Sequence, residues 1–157
     1  MAQQQPRGNF AHGPDVLTLL NRDLANEMNT VLMYMADSLM VKGPDAYDVK
    51  TVLQDFVKQD FKHAKQLAAR IVDLEGTPQL MPPNLQNNAS IEGKVSRDGA
   101  AQPMLKDALE HEMQSVIEYK GQIRNIGFDD PATRRLLEEI LADKEHQAEE
   151  IRSLMGV

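Results

Sequence analysis

Apolar residues recur at three- and four-residue steps through long stretches of this chain. Val16, Leu20, Leu24, Val31, Met35 and Leu39 form the first series. They make one stripe of an amphipathic helix predicted over 15–41, with Gly13, Pro14 and Asp15 as its start signal. Gly43, Pro44 and Asp45 break that helix and open a second, predicted over 45–74. Its stripe runs through Val52, Leu53, Phe56, Val57, Ala64, Leu67 and Ile71, and Gly76 and Pro78 end it. A third helix is predicted over 104–126. Asp130 then caps a fourth, over 131–155, with Pro131 at its first position. Residues 77–103 are rich in Pro, Asn and Gly, a long connection that suits a crossover along the length of a bundle. Residues 1–14 are polar and read as a disordered tail. The fold class is therefore all-α: one domain over 15–157, a four-helix bundle of two antiparallel hairpins joined by the crossover.

Composition narrows the function. The chain has 157 residues and 41% of them are apolar, enough for one core. No run of apolar residues is long enough for a membrane helix, and no apolar leader opens the sequence. A cytoplasmic location is expected. The formal charge is −7, and the tail carries only Arg7, which argues against nucleic acid as a partner. With no cysteine, any metal must be held by Asp, Glu and His.

The two hairpins repeat one another. Glu27 and Tyr34 stand seven residues apart in the first helix, and Glu112 and Tyr119 do so in the third. That spacing is two turns along one face. Both glutamates sit within apolar stripes, Leu24 to Tyr34 and Leu109 to Tyr119. A single such glutamate reads as a stripe-edge residue reaching water. The same phase in two helices points to a shared buried centre. The second helix adds Asp60 and His63, an acid and an imidazole three residues apart on one face, a usual metal-ligand pair. Asp60 falls among Phe56, Val57, Ala64 and Leu67, so it needs a metal, a cation or hydrogen bonds.

On these residues, with Leu20, Asn21, Leu74 to Gly76 and Glu139 to Leu141, the chain resembles the ferritin-like superfamily over about 15–155. Bacterioferritins and short bacterioferritin-like (Dps-like) proteins are its nearest members. The resemblance implies a di-iron centre inside the bundle, built in each half from one Glu and one Glu-x-x-His. It implies Glu27, Asp60, His63 and Glu112 as metal ligands, with Tyr34 beside them as a catalytic residue. It implies iron oxidation, storage or homeostasis, ferroxidase chemistry, and assembly into a homo-oligomer, a dimer or small cage. Haem is not expected, because Phe61 stands where the family's axial methionine would follow the acid of the second helix.

The fourth helix departs from the pattern. At about 100° per residue, its stripe of Leu137, Ile140, Leu141, Ala148, Ile151 and Met155 is centred near Lys144, with Gln147 roughly 55° away. Asp143 lies near the edge, about 95° away, and His146 on the water side, about 155° away. A gapless register pairs Asp60 with Lys144 and His63 with Gln147, so Lys144 and Gln147 replace expected ligands. A one-residue shift would instead make Asp143 and His146 ligands. A protonated lysine repels metal and neutralises acids. The expectation is thus at most one iron, or none with Lys144 paired to carboxylates. Alternatively, Lys144 reaches solvent at the bundle rim. The competing function is a metal-free structural or partner-binding bundle.

Overall fold

The computed structural model describes residues 15–157, so the predicted tail lies outside the described residues. Five helices follow in order: α1 (Val16–Met40), α2 (Ala46–Asp73), α3 (Pro82–Asn88), α4 (Ala101–Ile126) and α5 (Pro131–Met155). The long helices form an all-α ferritin-like bundle, α1 paired with α2 and α4 with α5. Among the described residues no helix is long and apolar enough to cross a membrane.

Local chemistry sets the ends. Asp15 caps α1, accepting from the Thr18 amide at 2.8 Å. Asp130 caps α5, accepting from the Thr133 amide at 3.0 Å, and Pro131 costs no hydrogen bond at a position whose amide has no helical partner. Arg70 of α2 ties the two hairpins together at this end. Its guanidinium donates to Asp130 at 3.0 Å and to the Thr133 hydroxyl at 2.9 Å.

The crossover is more structured than a plain connection. Pro82 and Pro83 do not only break helices; here they occupy the first turn of α3, which packs on α1. Asn26 then fixes the following segment, its side-chain oxygen accepting from the amides of Ser90 (2.9 Å) and Ile91 (3.2 Å). Asp37 accepts from the Ser96 amide at 2.9 Å. The Lys42 amide donates to the Gly99 carbonyl at 2.9 Å. Gly99 has φ +76°, and a Cβ there would lie 2.1 Å from the Met40 carbonyl oxygen, so no other residue fits. α4 starts three residues before the predicted 104, with Pro103 tolerated in its first turn.

Two apolar clusters fill the bundle. One gathers Leu20, Leu24, Leu67, Ile71, Ile123, Leu137 and Ile140. The other gathers Tyr34, Val49, Leu53, Phe56, Met104, Leu105 and Ile151. Between them along the chain lie the buried polar residues Glu27, Asp60, His63, Glu112, Lys144 and Gln147. The helices therefore present a polar layer to the interior, plugged by hydrocarbon at both ends.

Candidate metal centre

The acids of this layer come from three helices. Glu27 (α1), Asp60 (α2) and Glu112 (α4) are each at most 2% exposed. Each lies in the inward stripe of its helix, so the packing that buries its apolar neighbours buries the carboxylate too. A tyrosine from the opposite hairpin serves each glutamate. The Tyr119 hydroxyl of α4 donates to Glu27 of α1 at 2.8 Å, and the Tyr34 hydroxyl of α1 donates to Glu112 of α4. Burial and the neighbouring carboxylates hold both phenols well above their ordinary range, so both remain donors.

Lys144 of α5 is 0% exposed and points into this layer. Its Nζ lies 2.8 Å from Asp60 Oδ1, 3.2 Å from Glu27 Oε2 and 3.6 Å from Glu112 Oε2. Burial alone would drive the proton off, but the three carboxylates outweigh it and hold the ammonium well above its ordinary value. The reading in which Lys144 reaches solvent at the rim is thereby excluded. Gln147 is also buried, donating to Asp60 Oδ1 and to Gln59 Oε1, both at 2.9 Å.

His63 completes the layer. Its Nδ1 faces Glu27 Oε2 at 3.4 Å and Asp60 Oδ1 at 3.5 Å, while its Nε2 meets Asp143 Oδ2 at 2.8 Å. Both ring nitrogens thus face carboxylate oxygens, an environment satisfied only by the imidazolium, which donates from both. Burial opposes that charge, but hydrogen bonds to Asp60 and Glu27 and the Glu27 charge raise the pKa to about 10. Burial likewise pushes Asp60 up, yet Lys144 and the hydrogen bonds from His63 and Gln147 hold it below its ordinary value. Glu112 is the surplus acid: burial raises it to about 7 despite Lys144. Near neutrality, two internal cations face Glu27, Asp60, Asp143 and a partly protonated Glu112.

The raised His63 pKa has a measurable consequence. Its folded pKa exceeds the unfolded value of about 6.5. Its stabilising contribution is thus complete below about 6.5 and is lost as pH rises through about 10. The melting-temperature difference between wild type and His63→Gln should be largest near pH 6 and shrink toward pH 10, each followed by thermal circular dichroism. A difference that is flat or grows with pH would refute the imidazolium.

Asp143 is 44% exposed and reaches inward only to His63. His146 is 73% exposed and stands 4.0 Å from Glu150. The shifted register that would make Asp143 and His146 joint metal ligands does not occur, because α5 carries Lys144 and Gln147 on its inner face without interruption. Among the described residues, Glu27, Asp60 and His63 alone form a trio whose ligating atoms all lie within 4.8 Å of one another.

A ferritin-like domain model matches residues 17–157, nearly all of the described chain. The chain belongs to the ferritin-like family. It is 28% identical to a bacterioferritin of Mycobacterium leprae (strain TN) over 147 residues, spanning 92% of this chain and 86% of that one. Its fold superposes on the dodecameric thioferritin, a bacterioferritin-related protein of Bacteroides fragilis, with a TM-score of 0.86. Identity there is 22%, covering 89% of this chain and 83% of that one. Dps of Listeria monocytogenes gives a TM-score of 0.86 at 16% identity, covering 92% and 96%.

The donor set of this ferritin-like centre does not fit a resident iron pair. A metal ligand must offer a lone pair, and an imidazolium has none. Glu27 Oε2 and Asp60 Oδ1 both already face the Lys144 ammonium and the His63 ring. A cation bound there would also meet the Lys144 charge directly. Sequence reasoning placed Asp143 at the edge of its stripe and gave it no partner. The sequence carries no signal for the contact, which depends on the Asp143 side chain reaching from α5 across to His63 of α2.

Proposed function

We propose that this chain is a ferritin-like subunit in which an ammonium and an imidazolium stand in for the two metal ions of an ancestral centre. It acts as a structural or partner-binding bundle, without ferroxidase chemistry at this site. One observation carries the reading: the Lys144 ammonium lies 2.8–3.6 Å from carboxylates of three other helices. An ammonium so placed supplies positive charge where a metal would, and with the His63 imidazolium it offsets two of the facing carboxylates. Homo-oligomerisation into a dimer or small cage belongs to this reading. Leu32, Met35 and Leu39 form an exposed apolar stripe on α1, and the Bacteroides fragilis relative is dodecameric.

The trio Glu27, Asp60 and His63 favours a second reading. In it, the subunit serves iron homeostasis and takes a single ferrous ion, as cargo or substrate, after His63 loses its proton and Lys144 turns away. Anaerobic dialysis of the full chain against Fe(II), metal analysis, and then admission of oxygen separate the two. The first reading expects no bound iron above a ligand-free control and no oxidation transient. One iron per chain supports the second. About two irons with rapid oxidation would overturn the replacement of the centre outright.

A further inference from the structure

Beside the central layer, α1 and α4 meet at a second buried polar contact. Asp23 of α1 is 2% exposed and Gln122 of α4 is 3% exposed. Gln122 Nε2 donates to Asp23 Oδ1 at 2.6 Å. The other two polar corners of this contact, Asp23 Oδ2 and Gln122 Oε1, are also buried, and neither has a hydrogen-bond partner. Two bare acceptors in one contact are costly. A single hydrogen on Asp23 Oδ2 removes both costs, because it turns that oxygen into a donor for Gln122 Oε1. The neighbouring groups leave no other source of such a hydrogen. Arg22 makes no ion pair with Asp23, and its buried Nε has no partner of its own. Tyr119 gives its hydroxyl hydrogen to Glu27. Glu27, one turn along α1, and Glu118, one turn back on α4, add only negative charge.

We propose that Asp23 is a neutral carboxylic acid in the native fold near neutral pH, joined to the Gln122 amide by two hydrogen bonds, and that this pair is a proton-held clasp between the two hairpins. Burial drives the Asp23 carboxyl well above the ordinary carboxylate range, and the Glu27 and Glu118 charges push the same way, against the Gln122 hydrogen bond and Arg22. Loss of the proton breaks the bond to Gln122 Oε1 and places a further negative charge beside Glu27 and Glu118. It does so where the crossover is fastened, since Glu118 accepts from the Ser90 hydroxyl at 2.6 Å and from the Asn26 amide at 3.5 Å. The central acids have Lys144 against them; Asp23 has only its own proton. The clasp therefore depends on neither reading of the central layer.

Two measurements on the full chain test it. Carbon-13 NMR of wild type at pH 6.5 should place the Asp23 carboxyl carbon at the shift of a neutral acid, where an unperturbed aspartate, with a pKa of about 3.9, is ionised. A carboxylate shift there overturns the clasp. The second measurement compares melting temperatures of wild type and Asp23→Asn at pH 5.5 and 8. An amide at this position accepts from Gln122 Nε2 and donates to Gln122 Oε1 without taking up a proton. A group whose folded pKa lies above its unfolded value loses stability as pH rises above the unfolded value, and only wild type carries that group. Asp23→Asn should therefore gain on wild type as pH goes from 5.5 to 8, and melt no lower than wild type at pH 8. An ionised Asp23 predicts a lower melting temperature for the variant, by the same amount at both pH values, and that result overturns the proposal.

Discussion

The double substitution Lys144→Glu, Gln147→His is expected to turn this chain into a two-metal protein, measured as close to two Fe(II) per chain after anaerobic loading. The reason lies in the register of α5. Lys144 and Gln147 occupy its inner face, opposite Asp60 and His63 of α2. The exchange removes the ammonium that lies against Glu27, Asp60 and Glu112 and adds a fourth carboxylate at that position. It also places an imidazole where an amide now bonds Asp60. His63 loses its reason to stay protonated once a divalent ion neutralises Glu27 and Asp60. Oxygen should then produce a rapid oxidation transient that wild type lacks. Without metal the variant should be less stable than wild type, because four buried acids would share one cation; Fe(II) or Zn(II) should raise its melting temperature. Unchanged metal uptake would show that Lys144 is not what excludes the ions.

The single change Lys144→Met should be the most damaging substitution of comparable size in the bundle. Methionine fills much of the same volume, so the loss is mainly electrostatic. Removing one partner of a buried ion pair typically costs about 3–5 kcal/mol, and here three carboxylates lose the same cation. For a chain of this length that corresponds to a fall of about 6–20 °C in melting temperature. The sign of the pH dependence follows from Glu112. Its folded pKa, about 7 in wild type, lies above the unfolded value and should rise further without the ammonium. The protonated form is compatible with burial, so stability should recover as pH falls below 7 and decline as pH rises. Thermal unfolding of wild type and variant at pH 5.5 and 8 checks this. An equal deficit at both pH values would mean that lost packing dominates.

The long helices were legible because each carries an uninterrupted apolar period and recognisable caps. The buried centre was legible in outline for a different reason: Glu27 and Glu112 repeat in phase, which no solvent-facing residue needs to do. α3 was not, since Pro82 and Pro83 serve equally as helix stops and as a first turn, and seven residues show little periodicity. The pairing of His63 with Asp143 was also hidden. It depends on a side chain at the rim of α5 reaching across to α2, which a helical wheel does not record.

The crossed hydroxyl contacts, Tyr34 to Glu112 and Tyr119 to Glu27, make the two halves of the molecule mutually dependent. Each glutamate takes its phenolic donor from the other hairpin, so neither half in isolation keeps the full set of contacts to its own acid. Partial opening that separates the halves would strand two carboxylates and two phenols at once. Loss of structure should therefore sweep through both halves together, giving a single sharp transition despite the 27-residue stretch that links them.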